Sequence, residues 1–214
     1  MQRARSAEAK AERFALILDA TAEWFDAVGA DLTLDQVAES AGLTRTTLYG
    51  YAATREELLV LLTERELTLW FADVDARLRR QRTNAGIARV LADTLLETPR
   101  VAPLLALCGT VFERNISPGA ALRWKRLLHD QLLVVGATID AVANAQPGCG
   151  ARLLLHTYAS VTGLHSVAFP PAVAAKAIAD GGLDALCIDY SHELRTALNA
   201  AAAVLLKPNR KATP

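Results

Sequence analysis

Residues 33–51 are the segment that most constrains what this chain can fold into. Thr33 stands three residues before Gln36, a capping-box pattern that predicts a short helix ending near Gly42. Thr44 can cap a second short helix that runs to about residue 51. Two short helices joined by a tight turn are typical of a helix-turn-helix unit, whose second helix enters the major groove of double-stranded DNA. The segment therefore favours an all-α fold that binds DNA.

The second short helix carries the side chains expected to meet DNA. Hydroxyl groups can bond to phosphates or base edges, and an arginine can form two hydrogen bonds with a guanine. Tyr49 can either contact DNA or pack against the first helix of the chain, and the sequence leaves both alternatives open. The residues expected on or near the exposed side are Thr44, Arg45, Thr46, Thr47, Tyr49 and Tyr51.

The rest of the chain is also punctuated as a series of helices. Gly and Pro collect at a few places instead of recurring every 8 to 12 residues, as a β-sandwich or barrel would require. Thr98 with Pro99, and Ser117 with Pro118, each place a capping side chain before a proline, as at helix starts. Apolar residues at helical spacing predict further helices over about 6–28, 54–82, 128–142 and 154–170, with a last stripe from Leu183 to Val204.

Charge and composition narrow the functional classes. Lys and Arg (23) balance Asp and Glu (23) for a formal net charge of +0, so bulk charge gives no argument for nucleic acid. Residues 1–55 hold six basic and eight acidic residues. No apolar run approaches the roughly 18 residues that cross a bilayer. Asp19 and Glu23 interrupt any apolar leader, and the three cysteines form no CxxC pair. We therefore expect a cytoplasmic protein that does not associate with membranes.

The sequence offers no chemistry from which an enzyme could be assembled. It contains no Gly-rich phosphate loop, no nucleophile elbow and no close pair of acids. The four histidines lack the paired spacing with a carboxylate that is typical of a metal site on a helix. We expect no enzymatic activity, no metal and no cofactor.

A set of short motifs stands at characteristic spacing between residues 17 and 58. They are Phe-x-x-x-Gly at Phe25–Gly29, Thr33, Val-Ala-x-x-Ala-Gly-Leu at Val37–Leu43, Thr-Leu-Tyr at Thr47–Tyr49, and an acidic-Leu start at Glu56–Leu58. In these motifs the chain resembles the tetracycline-repressor (TetR) family of bacterial transcriptional regulators. The resemblance implies that Tyr49 contacts phosphate, and it adds Thr33 and Arg55 to the expected DNA contacts. Ala52 departs from the family pattern, which often has an aromatic residue at this place.

The resemblance also implies a domain plan and a function. The plan has a helix-turn-helix DNA-binding domain over 1–53, a helical effector-binding and dimerisation domain over 54–206, and a frayed tail over 207–214. The chain would be a homodimeric repressor that binds a pseudo-palindromic operator and is released by a small apolar or aromatic effector. The alternative is a helical protein that binds or scavenges small molecules and keeps the fold without specific DNA recognition.

Two further groups of residues are expected in the second domain. Aromatic and polar side chains between residues 70 and 158 are expected around the effector, namely Trp70, Phe112, Glu113, Trp124, His129 and Tyr158. Small and apolar side chains on the last two long helices permit close packing against a second copy. They are Ala159, Gly163, Ser166, Leu194, Ala197 and Ala201.

Overall fold

The structure, a computed structural model, describes residues 2–109 and 111–207. All the regular elements in these ranges are helical, which confirms the all-α prediction. The α-helices are α1 (Gln2–Val28), α2 (Leu34–Ser40), α3 (Arg45–Tyr49), α4 (Arg55–Leu78), α5 (Asn84–Glu97), α6 (Val101–Cys108), α7 (Pro118–Ala143), α8 (Cys149–Ala168), α9 (Ala172–Asp180) and α10 (Tyr190–Leu205). In the described ranges no single helix is long and apolar enough to cross a bilayer, although one pair bent by 92° passes that test together.

The chain divides into two compact units, each with its own buried core. The first unit comprises residues up to Glu66 together with Leu107–Trp124, and the second comprises Leu67–Ala106 and the residues from Lys125 onward. Because α4, α6 and α7 each contain residues of both units, the division does not fall in a linker.

The core of the first unit forms where α1, α2 and α3 bury their apolar faces. Trp24 Nε1 donates a hydrogen bond of 2.9 Å to Ser40 Oγ, which ties α1 to the end of α2. Thr21 satisfies its buried hydroxyl by donating to the carbonyl of Ile17 at 2.6 Å. Fully buried members of this core are Ile17, Leu32, Val37, Leu48, Leu58 and Leu62.

Glu57 joins the start of α4 to the start of α7 within the first unit. Thr54 caps α4, since its Oγ1 accepts from the backbone N–H of Glu57 at 3.1 Å. The Glu57 carboxylate accepts from the N–H groups of Ser117 and Ala53, both at 3.0 Å. A side-chain hydrogen bond with Ser117, together with these backbone bonds, stabilises the ionised carboxylate and holds the pKa of Glu57 below its usual value. Ser117 in turn caps α7, as its sequence position predicts.

The core of the second unit forms around α10, which packs against α5 and α8. Leu194 and Leu198 of α10 are fully buried, as are Ile87 and Leu91 of α5. The spacing of each pair places both side chains on one helix face, so apolar burial aligns the two helices.

Helices α7 and α8 approach closely at two glycines. A Cβ atom at Gly150 would lie 2.2 Å from the carbonyl oxygen of Gly136, so only glycine fits at this crossing. The carboxylate of Asp140 accepts from the N–H groups of Gly148 and Gly150 at 2.7 and 2.6 Å. Asp140 thereby satisfies backbone donors that the first turn of α8 leaves open.

The last helix and the helix after Thr98 begin at other residues than the sequence predicts. The last helix begins at Tyr190 and not near Leu183, because the Asp189 side chain caps it by accepting from the N–H of His192. Residues 184–186 form a separate 3₁₀ turn instead, and α9 precedes them. After the Thr98–Pro99 pair the helix begins at Val101, two residues later than that pattern predicts.

Candidate functional site

Local capping positions α2 and α3 in the first unit. Thr33 Oγ1 accepts from the N–H of Gln36 at 3.3 Å, and Gln36 Oε1 accepts from the N–H of Thr33 at 2.8 Å, which confirms the predicted capping box. Gly42 has a φ of 65°, a conformation that favours glycine and turns the chain out of α2. Thr44 then caps α3 by accepting from the N–H of Thr47 at 3.3 Å. The expected helix-turn-helix geometry is present.

Helix α3 has one buried face and one exposed face. Leu48 is fully buried, and Thr47 is half-buried with its hydroxyl 2.9 Å from that of Thr44. Arg45 and Thr46 are exposed. The buried leucine fixes the rotation of the short helix, so the polar side chains of its other face point to solvent.

Arg45 is held between α2 and α3 by two neighbours. Its Nη1 lies 3.0 Å from Asp35 Oδ2, and its Nε and Nη2 donate to Tyr49 Oη at 3.2 and 3.0 Å. The hydrogen bonds to Tyr49 and the charge of Asp35 raise the pKa of the Arg45 guanidinium above its ordinary value. Sequence reasoning singled out Arg45 and Tyr49 but missed Asp35, which lies ten residues earlier and one helix away.

The other expected DNA contacts occupy different surroundings. The Thr33 side chain is exposed but serves the cap of α2. Tyr51 stacks on Phe14 of α1, with ring centroids 5.9 Å apart and planes inclined by 17°. Ala52 is small and buried, and the aromatic contact with α1 comes from the preceding residue, Tyr51. Arg55 is half-buried and pairs with Glu56 at 2.8 Å.

An apolar cavity of about 340 Å³ lies entirely within the second unit. Three of the residues expected around an effector, Trp70, His129 and Tyr158, line it. Most of its remaining wall is aliphatic, from Leu67, Leu95, Leu105, Leu128, Leu132, Leu154 and Val161. Its size and lining are typical of a site for a small apolar molecule.

The other three residues expected around an effector do not line this cavity. Phe112, Glu113 and Trp124 belong to the first unit, where Phe112 and Trp124 are buried and Trp124 Nε1 donates to Glu113 Oε1 at 3.0 Å. Phe112 and Glu113 lie in the 3₁₀ turn Phe112–Arg114, and the aromatic and polar character on which the expectation depended does not show which unit a side chain joins. Lys125, one residue after Trp124, lines the cavity instead and was missed.

The residues expected at a dimer interface divide into two groups. Ala159, Gly163 and Ser166 lie exposed on α8, and Ala197 and Ala201 are half-buried on α10. Leu194 is fully buried among the helices of its own unit, so it offers no surface to a second chain. An apolar stripe on a helix does not distinguish burial within a chain from burial between chains.

Two family models together match most of the chain. The model described as tetracyclin repressor-like, C-terminal domain, matches residues 64–206, and that described as bacterial regulatory proteins, tetR family, matches residues 17–62. The chain belongs to the TetR family. It is therefore a TetR-family transcriptional regulator, as the motifs between residues 17 and 58 predict. Regulators of this family are generally DNA-binding proteins without enzymatic activity.

Solved structures of TetR-family regulators share this fold. A TetR-family transcriptional regulator from Streptomyces coelicolor aligns with a TM-score of 0.60 and 21% identity, over 90% of this chain and 99% of that one. FadR of Thermus thermophilus, a TetR-family transcriptional repressor in complex with lauroyl-CoA, aligns with a TM-score of 0.57 and 18% identity, over 94% and 99% of the two chains. No curated protein sequence matches the chain.

Proposed function

We propose that this TetR-family regulator is a repressor that binds a pseudo-palindromic operator as a homodimer. The main support for the proposal is the exposed face of α3. Arg45, Thr46 and Tyr49 are exposed on this helix, whereas Leu48 is buried. Arginine suits a guanine edge, and hydroxyl groups suit phosphates and bases. The DNA-binding domain of this proposal comprises residues 1–53.

A second copy would pair through the exposed small residues of α8. Ala159, Gly163 and Ser166 lie at helical spacing and let two backbones approach closely. Two copies related by a twofold axis would present their α3 helices to half-sites about 34 to 36 Å apart, or a multiple of that distance. The dimerisation and effector-binding domain comprises residues 54–206; the expected frayed tail, 207–214, lies outside the described residues except for Lys207.

The dimer is tested by a charged substitution in that exposed row. Gly163→Arg places a long cation where a Cβ atom meets nothing within 4 Å in the single chain, so the chain folds but cannot pair. Light scattering after size exclusion should report a monomer. Gly119→Arg, at a second open helical glycine, is the matched control and should stay dimeric. A Gly163→Arg dimer would contradict the proposed interface.

Operator binding is tested by titrating inverted repeats found beside the gene against scrambled duplexes at several salt concentrations. Each neutralised phosphate releases condensed counterions, so log K should fall linearly with log salt. The repeat should bind more tightly than the scrambled duplex at every salt concentration. Equal affinity would contradict operator recognition and favour the alternative, a small-molecule binding or scavenging protein.

The 340 Å³ cavity is proposed as the site of an apolar or aromatic effector that releases the operator. The lauroyl-CoA complex of the Thermus thermophilus relative supports a ligand with an apolar part in a regulator of this fold. A coupling of about 1 to 3 kcal/mol would change operator affinity roughly 5- to 150-fold. Helix α4 is the proposed transmitter, because residues 55–66 belong to the first unit and 67–78 to the second.

The effector role is tested by screening apolar and aromatic compounds for stabilisation, followed by operator titration with each hit. Binding to the folded state raises the melting temperature by mass action. Hits should also weaken operator binding. A compound that stabilises the protein and competes for the cavity but leaves operator affinity unchanged would contradict allosteric release, while operator recognition itself would still stand.

A further inference from the structure

The polar atoms in the inner wall of the cavity are already hydrogen-bonded within the protein. Trp70 Nε1 donates to Thr94 Oγ1 at 3.0 Å, and Thr157 Oγ1 donates to the carbonyl of Leu153 at 2.9 Å. Both threonines are buried, at 0% and 2% exposure. A polar ligand atom beside these groups would lose its hydrogen bonds to water without gaining a hydrogen-bond donor from the protein. This wall therefore favours apolar ligand atoms.

Polar side chains line the cavity on one turn of α7, and Tyr158 of α8 also lines it. Lys125 and His129 both line the cavity, and their spacing of four residues places them on the same helix face. Both are exposed, which puts them at the solvent end of the site. The His129 ring contacts the neighbouring Asp130 at 2.9 Å, and Asp130 does not line the cavity. Lys125 places a positive charge at this end of the cavity.

We propose that the effector is an amphipathic anion whose carboxylate binds Lys125 while its apolar chain or ring fills the cavity. The inference rests on the proposed effector function and specifies the chemical class of the effector. A group the size of a water occupies roughly 30 Å³, so a cavity of about 340 Å³ holds about eleven such groups. An eight-carbon carboxylate has this size.

The experiment compares octanoate, 1-octanol and octylamine, which share one chain and differ in the charge of the head group. Titration calorimetry should give octanoate about tenfold tighter binding than 1-octanol, the low end of what a hydrogen bond to a charged group contributes. Octylamine should bind more weakly than 1-octanol, because its cation faces Lys125. Lys125→Met should remove the preference for octanoate and leave 1-octanol binding unchanged.

Two further variants separate charge from side-chain packing. Lys125→Arg keeps the cation and should keep the preference for octanoate. Lys176→Met removes a lysine on α9 that pairs with Asp180 and does not line the cavity, so all three affinities should be unchanged. Circular dichroism of each variant checks that its helices are intact.

Failure of the anion inference can be distinguished from failure of the proposed effector function. Equal binding of octanoate and 1-octanol, an unchanged preference in Lys125→Met, or no binding of any of the three probes would overturn the anion inference. Operator titration without a probe tests DNA recognition independently. If octanoate binds through Lys125 but leaves operator affinity unchanged, the ligand class stands and the effector role fails.

Discussion

Arg45 Nη1 on α3 lies 3.0 Å from Asp35 Oδ2 on α2, and the two side chains are 60% and 61% exposed. An ion pair this exposed contributes little to stability, because water solvates both charges and salt screens them. A DNA phosphate or a guanine edge can therefore replace Asp35 as the partner of Arg45. In the absence of DNA, the pair restrains the proposed base-reading side chain and offsets its charge.

Asp35→Asn should increase binding to non-operator DNA. The substitution removes a negative charge from the proposed DNA-binding face and releases Arg45, so affinity for scrambled duplexes should rise about two- to fivefold. Operator affinity should rise less, which lowers the ratio of specific to non-specific binding. Fluorescence anisotropy with both duplexes measures the ratio. Glu23→Gln makes the same charge change on α1 outside this ion pair and is the control. Scrambled-duplex affinity that stays at the wild-type value in Asp35→Asn would contradict the restraint.

Arg45→Ala should cost about 1 to 3 kcal/mol of operator binding and relax the preference at one base pair in each half-site. Because Tyr49 Oη accepts two hydrogen bonds from Arg45, Tyr49→Phe should act partly through the arginine. In a double-mutant cycle on operator affinity the two effects should therefore fall short of additivity by about 0.5 kcal/mol or more. Additive effects would mean that Tyr49 acts on DNA independently of Arg45.

The helix-turn-helix was predictable because its signals are local. The caps at Thr33 and Thr44 and the turn at Gly42 each involve residues within a few positions of one another. Such local interactions form regardless of how the rest of the chain packs. Asp35 was not identified because its ion pair with Arg45 depends on the angle between α2 and α3. Residue spacing in the sequence does not determine that angle.

The residues around the cavity were only partly predictable for the same reason. Trp124 and Lys125 are consecutive, yet Trp124 is buried in the first unit and Lys125 lines the cavity of the second. A rotation of α7 by one residue would exchange these roles, and only packing against other helices sets that rotation. Leu194 illustrates a second limit, since its apolar stripe fits an interior and an interface equally well.

Thr94→Val should destabilise the second unit by about 1 to 3 kcal/mol, because it leaves the buried N–H of Trp70 without an acceptor. Thr157→Val is a matched control. Thr157 is also buried, but its hydroxyl only donates to the carbonyl of Leu153, so no donor is orphaned and the cost should be smaller. Urea unfolding followed by circular dichroism gives both values. Equal losses would contradict the assigned role of the Trp70–Thr94 bond.

Gly150→Ala should lower stability although alanine ordinarily favours a helix by about 1 kcal/mol over glycine. The new Cβ atom would lie 2.2 Å from the carbonyl oxygen of Gly136, so α7 and α8 must separate, and overpacking of this kind costs about 1 to 3 kcal/mol. Gly119→Ala, where a Cβ meets nothing within 4 Å, should be neutral or stabilising by up to about 1 kcal/mol. Urea unfolding at one fixed protein concentration compares the two, since association with a second chain would make stability depend on concentration. A Gly150→Ala protein as stable as the wild type would show that the two helices do not cross this closely.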